Sequence, residues 1–228
     1  MNPASCAHPW PIHGTVYGVL LNGQAEWQAA EALMTQAPYK APPQAPVLYI
    51  KTANTWSAHD TRITLPHGVA EVEVGATLGA VMAGDHVRGF VLLNDVSLPH
   101  SVHAQGFYRP PVKSKCVDGF LGVGPTLLPA ADLPHPQAHD IELRINGERQ
   151  QTVRLSQMRR HLPTLLADVT EFMSLQAADV LMLGLDICEH GPHAGGRPRV
   201  RAGDVVEIHM PDAPGLGVMR HTFVQEVA

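Results

Sequence analysis

Residues 141–155, IELRINGERQQTVRL, decide the fold class. Two runs in which apolar and polar residues alternate flank Asn146-Gly147, and a period of two sends successive side chains to opposite faces of a strand. Asn-Gly is the pair that a type I′ turn favours, because both central residues take positive φ. The segment therefore reads as an antiparallel hairpin. Downstream, Leu162, Leu165, Leu166, Val169, Phe172 and Met173 recur near a 3.6-residue period with Pro163 in the first turn, which predicts a helix over 162–175. Strands are expected at 179–183, 204–210 and 217–225. Upstream, GTVYGVLL at 14–21 predicts a buried strand, and 24–36, free of Pro and Gly with Trp27, Ala30 and Leu33/Met34 on one face, predicts a helix. APYKAPPQAP at 37–46 breaks regular structure and is a candidate lid or arm. Short strands follow at 47–51, 61–65, 69–74 and 87–93, and the Pro- and His-bearing stretch 97–111 reads as a long surface or site loop. The sum is one α+β, mainly β domain with two helices packed on its sheets.

Composition narrows the function classes. Sixteen Lys+Arg against 21 Asp+Glu give a formal net charge of −5 over 228 residues, so no broad cationic face exists for a nucleic-acid backbone. At 45% hydrophobic and 16% charged residues the chain can bury a core and is not disordered. Twenty Gly and 20 Pro mean frequent turns. Cys6, Cys116 and Cys188 are far apart and read as free thiols of a reducing compartment. The opening MNPASCAHPWPIHG has no basic and apolar leader regions, and no run reaches the roughly 18 apolar residues of a membrane span, so a cytoplasmic protein without membrane contact is expected. Gly-x-Gly-x-x-Gly after a strand, a Walker sequence and Gly-x-Ser-x-Gly are all absent, so no nucleotide cofactor is expected.

Three clusters carry possible chemistry. Glu71-Val72-Glu73 lies in a period-two run, so both carboxylates share a face. Two readings fit: a solvated strand edge, or, together with Asp95, three hard oxygen ligands for Mg²⁺, Mn²⁺ or Ca²⁺. Arg109, Lys113 and Lys115 crowd FYRPPVKSKCVDGF at 107–120, either as a solvated basic face or as the holder of a dicarboxylate, with Arg as a fork and Lys as a proton carrier. Cys188-Glu189-His190-Gly191-Pro192-His193 lacks a second Cys pair and reads as a polar loop rather than a zinc site.

The order of Asn22, Glu71-x-Glu73, Gly89-Phe90 leading into Asn94-Asp95-Val96-Ser97, Lys115-x-x-Asp118 before Gly124-Pro125, Asn146-Gly147-Glu148 and Ala202-Gly203-Asp204-Val205-Val206 resembles the fumarylacetoacetate hydrolase family over nearly the whole chain. LNDVSLP, FYRPPVKSKCVDGF and PYKAPPQAP look most like its isomerase/decarboxylase branch in 4-hydroxyphenylacetate (homoprotocatechuate) breakdown, in particular the first of two repeats or subunits. The resemblance implies a mixed β-sandwich roll, with residues 1–46 forming strand, helix and proline arm and 47–228 the roll. It implies Mg²⁺, or Mn²⁺ or Ca²⁺, held by Glu71, Glu73 and Asp95, with Lys115 as the active-site lysine. Arg109 and Glu26 would join in catalysis, and Asn22, Arg109, Lys113 and Asp118 in binding a small 2-oxo di- or tricarboxylate. Decarboxylation of 5-oxopent-3-ene-1,2,5-tricarboxylate and isomerisation of 2-hydroxyhepta-2,4-diene-1,7-dioate would share one metal-stabilised enolate. A related hydrolase or decarboxylase acting on acylpyruvate or oxaloacetate, and a structural subunit beside a metal-bearing paralogue, are the alternatives. A homodimer, or a hetero-oligomer with a paralogous second subunit, is the implied assembly.

Departures from the family are equally legible. Its His-and-Glu pair after Asn22 falls on Glu26 and Ala29, leaving Glu26 a lone carboxylate, and its threonine-proline turn falls on Leu185-Asp186. Glu73 and Asp95 lie 22 residues apart, closer than usual in the family, and a shifted register would put Ala76 and Leu78 at the ligand positions, with no metal site. His100, His103, His190 and His193 are expected to border the entrance rather than bind a cation.

Overall fold

A computed structural model describes residues 10–37, 40–99 and 111–226, which hold fifteen strands. In chain order these are β1 (Val16–Leu20), β2 (Val47–Lys51), β3 (Trp56–Ala58), β4 (Thr61–Leu65), β5 (Val72–Glu73), β6 (Ala76–Ala83), β7 (Val87–Asp95), β8 (Leu121–Val123), β9 (Leu128–Pro129), β10 (Asp140–Ile145), β11 (Glu148–Arg154), β12 (Ala177–Met182), β13 (Arg199–Val200), β14 (Val205–His209) and β15 (Met219–Gln225). The helices are α1 (Gln24–Met34), the short α2 (Pro111–Lys115) and α3 (Leu162–Thr170). An eight-stranded sheet runs β2-β1-β12-β6-β7-β8-β3 with β9 on β7; a five-stranded sheet runs β11-β10-β14-β15-β4; β5 and β13 form a ribbon. Both large sheets mix parallel and antiparallel pairs, so the mainly β, α+β class and the mixed roll are what the chain adopts.

The hairpin forms as β10 and β11, and Asn146 and Gly147 take φ of 52° and 83°. Asn146 does more than turn the chain. Its side chain accepts from the Val205 amide and donates to Asp204, binding the hairpin to the start of β14. Helix α3 stops at Thr170, short of 175, with Phe172 exposed beyond its end. The strand expected at 69–74 shrinks to β5, and α2 begins at Pro111, the last residue of the expected loop, of which 100–110 lie outside the described residues. Among the described residues no helix is long and apolar enough to cross a membrane.

β6 was not foreseen. ATLGAVMA is rich in small residues and almost wholly buried, so it shows no polar alternation, yet it is central, between β12 and β7. Its alternation is between two cores instead. Val72, Val74, Ala76, Leu78, Ala80 and Met82 enter the large core between the sheets. Val81, with Val91 and Leu93 of β7 and Tyr49 of β2, enters a second core on the other face. The polar centre described next opens on that second face.

Candidate active site

Asp95 ends β7, Gly75 lies between β5 and β6, and Arg197 precedes β13. The pairings Ala76 with Asn94 and Glu73 with Arg199, and the Asp95 amide donating to the Gly75 carbonyl at 2.8 Å, set these three in one row across adjacent segments. Ser97, Glu73 and Arg199 make the next row outward. Directly opposite residues and residues two apart share a face, so both rows present their side chains together. Gly75 contributes no side chain, and a Cβ there would lie 2.7 Å from Leu185 Cδ2.

Asp95 is fully buried between two ammonium groups, Lys51 Nζ at 2.7 Å and Lys115 Nζ at 2.6 Å, and also accepts from the Tyr49 hydroxyl. Lys51 Nζ donates further to the carbonyls of Val96, Lys115 and Phe120 at 2.7–2.8 Å, an oxygen cage closed around a protein cation. Burial pushes the Asp95 carboxyl up, but Lys115 and Lys51 outweigh it and hold it well below the carboxylate range. Burial, reinforced by Arg197 and Lys51, lowers Lys115 to about 7 against the pull of Asp95. Lys115 Nζ also lies 4.3 Å from the centre of the Tyr49 ring, whose hydroxyl is raised by burial and by Asp95.

Glu26 reaches the same centre from the first turn of α1. One oxygen accepts from Arg197 at 2.7 Å and the other from the Leu21 amide at 2.9 Å, where Leu21 holds a positive φ of 57°. Asp186 places that helix: its carboxylate accepts from the amides of Glu26 at 2.8 Å and Ala25 at 3.4 Å, a cap supplied from outside the helix. Thus Glu26, Asp95 and Lys115 come together, with Tyr49, Lys51 and Arg197, which sequence reading passed over. The signal for two of those was present, since the period of VLYIK puts Tyr49 and Lys51 on one face and Lys51 is one of only four lysines.

Other expected residues lie elsewhere. Asn22 is buried, and its amide is consumed by Leu183 and Arg160 carbonyls and the Arg160 N–H, a structural tie rather than a substrate contact. Asp118 is exposed and accepts from Asn54, and Lys113 is exposed on α2. Arg109, His100 and His103 lie outside the described residues. His190 lines an open polar cavity of about 260 Å³ with Arg149, Arg154, Asp186 and Glu189, and does not border the Asp95 cluster; His193 is half-buried in the same loop.

The three carboxylates expected to hold a cation do not gather. Glu71 is held by Arg199 at 2.7 Å and Arg201 at 3.4 Å, Glu73 faces Arg199 at 3.6 Å, and Asp95 is spent on the two lysines. Among the described residues no group of three His, Cys, Asp or Glu side chains is placed to hold a metal. The alternative register fails too, since Ala76 and Leu78 enter the large core and the residue opposite Asp95 is Gly75. With all groups ionised, the carboxylates of Asp95, Glu26 and Glu73 stand against three cations, Lys51, Lys115 and Arg197, so the buried charges of the centre are close to balanced.

Residues 15–224 match the family described as fumarylacetoacetate (FAA) hydrolase, C-terminal. A 4-hydroxyphenylacetate degradation bifunctional isomerase/decarboxylase of Escherichia coli is 32% identical over 202 residues, 84% of this chain and 45% of that protein. The chain spans about half the length of the curated relatives of this kind. A 2-hydroxyhepta-2,4-diene-1,7-dioate isomerase from Mycobacterium marinum shares the fold with a TM-score of 0.71 at 20% identity, over 96% of this chain and 78% of that one. A fumarylpyruvate hydrolase from Pseudomonas aeruginosa, in complex with Mn²⁺ and pyruvate, does so with a TM-score of 0.71 at 22% identity, over 95% and 91%.

Proposed function

The chain belongs to the fumarylacetoacetate hydrolase family, and on that premise we propose that it is one unit of an isomerase/decarboxylase of aromatic catabolism, acting on a 2-oxo di- or tricarboxylate. The substrates of this reading are 5-oxopent-3-ene-1,2,5-tricarboxylate for decarboxylation and 2-hydroxyhepta-2,4-diene-1,7-dioate for isomerisation. The observation that carries it is Lys115, a buried amine fixed 2.6 Å from Asp95 beside a guanidinium and a second ammonium. Both reactions need one proton donor near an electron-rich dienolate. In the first, the C–CO₂⁻ bond breaks, CO₂ leaves, and its electron pair spreads onto the oxo group. The Lys115 ammonium then gives its proton to that enolate oxygen, which yields 2-hydroxyhepta-2,4-diene-1,7-dioate. In the second, neutral Lys115 takes the proton of the 2-hydroxyl and returns one to the distal carbon, so that no net proton is lost. Positive charge fixed at the site lowers the energy of the dienolate in both.

A second reading has its own observation. Glu71 and Glu73 are turned to Arg199 and Arg201, which favours a non-catalytic repeat beside a paralogous, metal-bearing unit. Loss of dienoate absorbance separates the two. Turnover by the purified chain, reduced about 10²-fold or more in Lys115→Met as loss of a proton donor requires, supports the enzyme reading. No turnover alone or with its second unit sinks it; turnover only with that unit, indifferent to Lys115→Met, establishes the structural reading.

A further inference from the structure

We propose that Lys51 is the resident cation and a positioning residue of this site: its ammonium fills a closed four-oxygen cage that fixes Asp95 and Lys115, and the space its side chain would vacate binds a primary ammonium ion. The link to catalysis rests on the lysine reading above; the cage stands without it.

Lys51, at the end of β2, is among the largest fully buried side chains of the described residues. Its Nζ lies 2.7 Å from the carbonyls of Val96 and Lys115, 2.8 Å from that of Phe120 and 2.7 Å from Asp95 Oδ1. Three carbonyl acceptors call for the three N–H groups of an ammonium; a neutral amine has two, and its lone pair would face an oxygen. The cage therefore fits the charged form, although burial lowers the pKa against the pull of Asp95. Size excludes a divalent ion in its place. Mg²⁺ takes oxygen at about 2.0–2.1 Å and Ca²⁺ at about 2.3–2.6 Å, whereas 2.7–2.8 Å is the span of a charged N–H···O bond.

Four oxygens around three hydrogens leave none for a substrate, so Lys51 is not a second proton carrier. Instead it holds Lys115 at both ends. It donates to the Lys115 carbonyl, and it fixes the Asp95 carboxylate, whose Oδ2 accepts from the Lys115 amine at 2.6 Å. That amine has no other hydrogen-bond acceptor among the described residues. Charge agrees with geometry. Asp95, Glu26 and Glu73 stand against Lys51, Lys115 and Arg197, so shortening Lys51 leaves three carboxylates against two cations. The excess negative charge and four unpaired oxygens then border a hole the shape of propylammonium, the part of lysine that alanine lacks.

Lys51→Ala, refolded with propylammonium, tetramethylammonium or propanol, tests this by thermal unfolding. The substitution is expected to lower Tm by about 10 °C, as an uncompensated buried carboxylate requires. Propylammonium returns most of that loss with saturating dependence on concentration. Tetramethylammonium, a charge without N–H groups, and propanol, the shape without the charge, return little. At a temperature where Lys51→Ala is fully folded, kcat on the dienoate falls about 10-fold or more with KM nearly unchanged, the mark of a misplaced proton carrier, and propylammonium restores it. Should Lys51→Ala not fold under any condition, nitrogen-15 spectra decide on Lys115→Met and the wild type. Lys40 and Lys113 are exposed and exchange fast, so a slowly exchanging lysine ammonium that survives in Lys115→Met is Lys51. Equal protection by all three additives, protection by none of a variant that folds, an unchanged kcat, or the absence of that ammonium signal overturns the proposal. Propylammonium protection without dienoate turnover by the wild type defeats the isomerase/decarboxylase reading alone; turnover with that protection missing defeats this one alone.

Discussion

Two buried titratable side chains meet the same cost differently. Burial lowers the pKa of both, but at Lys51 three carbonyls accept from the amine and Asp95 opposes the lowering, whereas His221 has far less around it to offset burial. His221 is 1% exposed, its Nε2 lies 3.0 Å from the Ala58 carbonyl, and Nδ1 is buried with no hydrogen-bond partner among the described residues. A Cβ on Gly122 would sit 2.5 Å from its Cε1, so the ring fills its slot. Burial lowers its pKa to about 4; the Ala58 and Ser57 backbone and Asp60 oppose that, and His59 adds to it. The unfolded chain binds the proton near pH 6.5, so the stability tied to neutral His221 is full above 6.5 and is lost as pH falls through 4. Two and a half pKa units amount to about 3 kcal/mol. Urea unfolding at pH 7, 5.5 and 4.5 is expected to show that decline in the wild type. His221→Gln, which retains a donor for Ala58 but does not titrate, is expected to flatten it; an equal decline in the variant places the acid sensitivity elsewhere.

At the scale of elements, α1 depends on a residue it does not contain. Gly23 at its N-cap has no side chain to give, and Asp186 accepts from the amides of Ala25 and Glu26. Asp186→Ala is expected to cost about 1–2 kcal/mol, the usual range for a lost cap, and to speed hydrogen exchange at the amides of residues 25–27. Exchange unchanged there would show that packing of Trp27 alone fixes the helix start. Such long-range capping is invisible in sequence, as is much of the site. The hairpin was legible because period and turn chemistry agree within fifteen residues. The Glu71 and Glu73 pair was half legible: a period of two predicts which face a carboxylate takes, and they do share the face of Asp95. It carries no information about the row, since a slide of two residues leaves every face unchanged. The bridge from Glu73 to Ser97, beyond the end of β7, and the Asp95 amide on the Gly75 carbonyl set Gly75, not Glu73, opposite Asp95. Arg197 escaped notice because only β13 brings it across from Gly75, more than a hundred residues away in the chain.

At the scale of the molecule, the division of the sequence at residue 46 is not a division of the fold. β1 lies inside the eight-stranded sheet, between β2 and β12, so the first segment completes the roll rather than preceding it. The large core likewise joins both sheets, with Leu92 of β7 and Phe223 of β15 in one cluster and each fully buried. We therefore expect one cooperative unit. Leu92→Ala and Phe223→Ala should each cost about 2–5 kcal/mol, the range for emptying a core position. More tellingly, each should lower the protection of the most slowly exchanging amides in both sheets by the same amount, because those amides open only when the whole unit unfolds. If Phe223→Ala weakens β10, β14 and β15 while leaving β1, β6 and β7 at their wild-type protection, the two sheets are separate folding units. The candidate site, whose Asp95, Lys51 and Lys115 belong to the eight-stranded side, would then stand independently of the five-stranded sheet.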